Sequence, residues 1–196
     1  MHRTLQQILP QAQIDTVEID PAVLKIATTY FGFQIKEKST VTIGDGRVYV
    51  KRAQKQSRRY DLIILDAYGD TYIPEHMLSK EYLMEVKSIL APHGVLAANT
   101  FSSSRLYHAE SATYGTVFGD FYNLKKANRI ILTKNDGLPS ISEITANADA
   151  LETHLQPYKT KKTWLLPLFS TNTPWPSNTR ILTDQYSPVN LLNNAQ

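Results

Sequence analysis

The chain has 196 residues, with 21 Lys and Arg against 18 Asp and Glu, five His and no Cys. At about 150 residues per domain this is one domain, or one domain with a short extension, and 42% apolar with 20% charged residues excludes collagen-like, disordered and coiled-coil classes. The lack of Cys excludes a disulfide framework, thiolate metal sites and a Cys nucleophile and fits a reducing, cytoplasmic setting; the net charge of +3 is too small an excess to imply nucleic acid.

The chain opens on MHRTLQQILPQAQ, whose apolar run is broken by Gln and Pro, so no secretory signal is expected. Residues 4–9 read as the end of a helix that Pro10 terminates. Residues 14–19 are a short strand rich in β-branched residues. Asp20 then caps a helix with Pro21 in its first turn, running to about Phe31. Residues 41–43 form a second strand that ends at Gly44-Asp45-Gly46, and a helix follows over 47–56. Residues 61–65 (DLIIL) have the continuous apolar character of a buried parallel strand. Residues 79–90 form an amphipathic helix with Leu83, Val86, Ile89 and Leu90 on one face, and Pro92-His93-Gly94 is the turn after it. A fourth strand covers 95–99, a helix 104–117, a hairpin 121–133 and a further helix 140–155. No stretch has the roughly 20 apolar residues that span a bilayer, so no membrane contact is expected.

Alternating strands and helices at this spacing predict an α/β fold with a mostly parallel sheet and helices on both faces. The expected division is one domain over 1–158 and an irregular, packed extension over 159–196. Ligands of such sheets bind beyond the carboxyl ends of the strands. Three successive strands end on carboxylates there: Glu18-Ile19-Asp20, Gly44-Asp45-Gly46, and Asp66 followed by Ala67-Tyr68-Gly69-Asp70. Glu18 is placed to accept from ribose hydroxyls, Asp45 from an adenine amine beside glycines that let the ring approach. Asp66 faces a cleft, where it can take a proton from an amine or hold a cation. Simpler readings stand beside these: Asp20 is a helix cap, Asp45 a turn residue, Asp66 a loop cap. Lys51, Arg52, Lys55, Arg58 and Arg59 read as a solvated face, and Ser102-Ser103-Ser104 as a helix cap. No two His stand at i, i+4, so no metal site is expected.

The segments Val17-Glu18-Ile19-Asp20-Pro21, Gly44-Asp45-Gly46-Arg47, residues 60–66 and Leu90-Ala91-Pro92-His93-Gly94-Val95 resemble, in order and spacing, the spermidine synthase (polyamine aminopropyltransferase) family. The closing residues 182–189 are similar to an end motif of spermidine-synthase-like proteins. The resemblance implies a Rossmann-type, methyltransferase-like fold. It implies decarboxylated S-adenosylmethionine as co-substrate, with no prosthetic group, and a putrescine-like amine as acceptor. Glu18 would bind the donor's ribose, and Asp45 and Gly46 its adenine. Asp66 would be the base, with Asp70 and Tyr68 on the acceptor; a homodimer is the assembly it suggests. A methyltransferase using S-adenosylmethionine and an inactive remnant are the alternatives. Two features depart from the family pattern. Asp66 and Asp70 stand one residue further apart than the family's two carboxylates. The N-terminal β-hairpin and the Gly-rich first strand and loop are missing, so the expectation is a domain that begins after its first strand, through truncation or a wrong start.

Overall fold

The computed structural model describes residues 1–67, 73–171 and 175–187. The chain divides into two compact units, Met1–Lys55 and Gln56–Gln196.

In the first unit, α1 (His2–Ile8) leads into β1 (Ile14–Glu18), α2 (Pro21–Tyr30), β2 (Ser39–Ile43) and α3 (Gly46–Lys55). The Asp20 side chain accepts from the Ala22 N–H with Pro21 in the first turn, as its sequence position predicts. β1 and β2 are parallel, with Glu18 opposite Ile43. Parallel pairing carries both strand ends to one rim, and Gly44 N–H donates to the Glu18 carbonyl at 2.9 Å. Asp15 ties the unit together from inside β1, accepting from Thr40 Oγ1 and from the Tyr49 hydroxyl at 2.9 Å.

In the second unit, β3 (Tyr60–Leu65) precedes α4 (Lys80–Ser88) and β4 (Leu90–Phe101). Then come α5 (Tyr107–Phe118), β5 (Tyr122–Lys125), β6 (Asn128–Lys134), α6 (Ile141–Leu155) and α7 (Lys162–Leu165). The sheet order is β3-β4-β6-β5. β3 is parallel to β4, while β6 runs antiparallel to both β4 and β5. The sheet is therefore mixed, with the expected hairpin at one edge. Leu83 and Val86, expected on the apolar face of α4, are fully buried there; Ile89 and Leu90 are also 3% exposed or less, but the helix ends at Ser88 and Leu90 already belongs to β4. α6 opens on a capping box in which Ser140 and Glu143 satisfy each other's backbone N–H.

Two expectations are corrected. The Pro92-His93-Gly94 turn is absorbed into β4. Tyr60 pairs with Leu90 and Leu62 with Val95, so extra residues bulge out of β4, held by Asn135, which donates to the carbonyls of Gly94 and Ala91. β3 is not a buried strand either. Among the described residues it pairs on one side only, and Leu62 is 40% exposed.

Tail residues are built into the second unit. Tyr122 bridges Thr171, and Leu182, fully buried, donates its N–H to Thr113 Oγ1 while its carbonyl accepts from Lys80 N–H. Ser79 Oγ donates to Asp184, whose own N–H donates to Glu81. The 182–186 part of the end motif thus clamps the start of α4. No helix among the described residues is long and apolar enough to cross a membrane.

Candidate functional site

In the first unit, Glu18 and the 44–46 loop share the rim at the carboxyl ends of β1 and β2. Glu18 Oε1 accepts the Asp20 N–H at 3.0 Å, which turns the carboxylate along the strand end; Oε2 has no partner among the described residues. Asp45 Oδ1 accepts the Val48 N–H at 2.9 Å, so Asp45 caps α3, and Gly46 is the helix's first residue. A Cβ built on Gly44 meets no atom within 4 Å. Open space therefore lies against this loop, as the approach of a planar ring requires.

In the second unit, β3 delivers Asp66 to the carboxyl-terminal rim, where the side chain is exposed. Asn99, at the matching point of β4, donates Nδ2–H to Asp66 Oδ1 at 2.9 Å, and Asn128 Nδ2 lies 3.4 Å from Asn99 Oδ1. Asn99 also lines a cavity of about 20 Å³, together with Ala67, Ile73, Met77, Tyr82, Thr100 and Tyr114. Thr100 Oγ1, in a side chain 1% exposed, has no hydrogen-bond partner among the described residues. Tyr68 and Asp70 lie outside the described residues.

Residues 3–133 match the spermine/spermidine synthase domain. The chain belongs to the spermine/spermidine synthase family. It is 46% identical over 192 residues to a polyamine aminopropyltransferase of Vibrio vulnificus (strain CMCP6), covering 96% of this chain and 64% of the Vibrio protein. The chain thus spans about two thirds or less of the length of that relative. Among solved structures it superposes on human methyltransferase-like protein 13 in complex with SAH, with a TM-score of 0.71 and 29% identity, over 79% of this chain and 76% of that one. A probable spermidine synthase from Corynebacterium glutamicum gives a TM-score of 0.66 at 18% identity, over 94% of this chain and 68% of that one. These likenesses establish the Rossmann-like, methyltransferase-type fold for this family member.

Sequence reasoning missed two features. Asn99 closes the strand expected over 95–99, so the strand-end rule that picked out Glu18 and Asp66 applies to it too, although β4 itself runs on to Phe101. A buried pair, Arg129 on β6 and Glu110 on α5, also went unseen. Arg129 is fully buried, donating to Asn123 Oδ1 at 2.9 Å, Ser111 Oγ at 2.7 Å and the Tyr107 carbonyl at 3.3 Å. Its guanidinium lies 4.0 Å from the centre of the Tyr107 ring. Glu110 Oε2 sits 3.6 Å from Arg129 Nη1 and makes no hydrogen bond among the described residues. Burial pushes the Glu110 carboxyl up to about 7, outweighing the attraction of Arg129. The available signal was an Arg opening an otherwise apolar strand, Arg129-Ile130-Ile131-Leu132.

Proposed function

We propose that this protein transfers an aminopropyl group from decarboxylated S-adenosylmethionine to putrescine or a related amine. The observation that carries the reading is the 46% identity, over nearly the whole chain, to a polyamine aminopropyltransferase. The rims support it. Glu18, with one carboxylate oxygen engaged by a backbone N–H, offers the other to ribose hydroxyls. Asp45 and Gly46 take the adenine edge at a loop with open space beside it. Asp66 is the base, and Asp70 and Tyr68 are assigned to the acceptor. Residues 1–158 are taken as the catalytic region and 159–196 as its extension.

The chemistry asks for such groups. The acceptor is a primary amine, a group whose pKa in a lysine side chain is near 10.4, so it arrives as a cation and must lose a proton before it can attack. Asp66 attracts it, orients it and accepts that proton. The amine nitrogen then forms a bond to the propyl carbon on sulfur; the carbon–sulfur bond breaks with its electrons going to sulfur, which leaves as the neutral thioether methylthioadenosine. The sulfonium is already a good leaving group, so alignment supplies much of the rate.

The test is incubation of the chain with putrescine and, separately, decarboxylated S-adenosylmethionine or S-adenosylmethionine, with products read by mass spectrometry. Spermidine and methylthioadenosine are expected, and Asp66→Asn should lower their formation by about 100-fold or more, the scale of a lost general base. Formation at the wild-type rate in Asp66→Asn removes that role. A methylated product would point to the second reading, methyl transfer from S-adenosylmethionine, which the likeness to human methyltransferase-like protein 13 favours. In that reading Glu18 and Asp45 keep their nucleoside roles. Absence of heat on titration with methylthioadenosine would overturn both.

A further inference from the structure

We infer that Asn99 is a positioning residue that holds the Asp66 carboxylate in one orientation, with Asn128 setting Asn99 in turn. The inference rests on the proposed function for its kinetic consequence, while its structural content stands on the second unit alone. The parallel register of β3 and β4 pairs Leu65 with Ala98, and one step further along brings Asp66 level with Asn99 at the rim. A carboxylate only accepts hydrogen bonds, so the Asn99 side chain must turn its NH₂ to Asp66, consistent with the 2.9 Å contact to Oδ1. That orientation points Asn99 Oδ1 at the amide of Asn128, the first residue of β6. Donors therefore run in one direction, from Asn128 through Asn99 to Asp66.

The consequence concerns Asp66 Oδ2. The torsion about an Asp Cβ–Cγ bond is broad and roughly two-fold, so an exposed carboxylate without a fixed partner presents its lone pairs over a range of directions. Engaging Oδ1 narrows that range and assigns the two oxygens different work. Oδ1 is held by the protein, and Oδ2 receives the acceptor's proton. Base catalysis depends on this direction as well as on distance. The contribution falls on turnover more than on capture of the amine, whose attraction to the carboxylate charge depends little on how the group is rotated.

Steady-state kinetics of the full chain with putrescine and decarboxylated S-adenosylmethionine should show Asn99→Ala lowering kcat by about tenfold with the putrescine KM within about twofold. Asn99→Gln, which keeps the NH₂, should recover part of the loss. In an Asp66→Asn background Asn99→Ala should have no further effect, because the two residues act as a unit. An unchanged kcat in Asn99→Ala, an equal loss in the Asp66→Asn background, or a loss matched by a fall in Tm and shared by Asn99→Gln would overturn the inference. A second measurement separates it from the function. In a ¹⁵N–¹H spectrum of the labelled chain, Asp66→Ala should move the Asn99 side-chain amide pair strongly, and Asn128→Ala should move it less. An unmoved Asn99 amide overturns the inference even if aminopropyl transfer is observed. A moved amide in a chain with no transferase activity upholds the carboxylate's positioning and overturns the proposed function.

Discussion

Glu110 shows how one buried side chain couples the fold to pH. Its carboxyl is 2% exposed and held at about 7 by burial, above the ordinary 4.5. The unfolded chain therefore releases this proton at lower pH than the folded one does. The group's contribution to stability is fully present below about pH 4.5, declines as pH rises, and is lost once pH passes about 7. Glu110→Gln has no proton to lose there. Thermal melts of the two proteins should converge or cross, with the wild type faring worse relative to Glu110→Gln at pH 8 than at pH 5. Parallel curves across that range would show that the carboxyl is already ionised in the fold. Arg129 stays cationic in either state, since an Arg is effectively always protonated, and its bonds to Asn123, Ser111 and Tyr107 hold it when Glu110 is neutral. An Arg in an apolar strand marks one member of this pair, but no local rule names its partner. Arg129 and Glu110 meet only because β6 lies beside β4 and α5 packs over the sheet, contacts set by tertiary structure. The strand-end positions of Glu18 and Asp66 were legible because such placement is a local property that the hydrophobic pattern already marks.

At the scale of elements, most strands and helices were legible because apolar periodicity, the Asp-Pro cap and the Gly-Asp-Gly break are written in adjacent residues; the cap expected at Ser102-Ser103-Ser104 does not form, since α5 starts at Tyr107 behind Leu106 with no side-chain cap. The Pro92-His93-Gly94 segment was not, because a turn and a bulge use the same residue types. Only the partner strand decides between them. Gly94 is the fixed point of that bulge. A Cβ built there would stand 2.8 Å from the Tyr60 carbonyl oxygen and 2.9 Å from the Ala91 nitrogen, and backbone atoms cannot swing aside as a side-chain tip can. Gly94→Ala should destabilise by about 1–3 kcal/mol, the usual cost of overpacking, measured as a lower denaturation midpoint with an unchanged slope. Ser79 is a second fixed point, capping α4 through the Tyr82 N–H and donating to Asp184 from a fully buried position. Ser79→Ala removes both bonds and should cost about 2 kcal/mol, a cap plus a hydrogen bond to a charged group. Asp184→Asn keeps an acceptor oxygen for Ser79 and should cost less; equal losses in the two variants would mean that the cap contributes nothing.

At the scale of the whole chain, the two units differ in how much they bury. In Met1–Lys55 the buried apolar residues are Val50 and Ala53 alone, α1 and α2 bury no residue, and Tyr30 and Phe31 are 78% and 70% exposed. In Gln56–Gln196, Leu83, Val86, Leu96, Phe121, Ile131 and Leu182 are all 0% exposed. Burial of apolar surface is the main favourable term in folding, about 25 cal/mol per Å² removed from water, and short segments bury the smaller share of their surface. Local opening follows the same gradient, since segments with few buried contacts open at lower free energy. Amides of β4 and β6, paired along seven residues between Val95 and Phe101, should be the slowest to exchange with deuterium. Those of α1, β1 and α2 should exchange faster by several orders of magnitude, because each 1.4 kcal/mol of opening free energy is a factor of ten. Methylthioadenosine gives this gradient a functional reading. If Glu18 and Asp45 hold the nucleoside, saturating ligand must slow exchange at β1 and the start of α3, by mass action on the folded form. Protection confined to β3 and β4, with β1 unchanged, would place the nucleoside elsewhere and remove Glu18 and Asp45 from the donor site while leaving the role of Asp66 to be decided by its own variants.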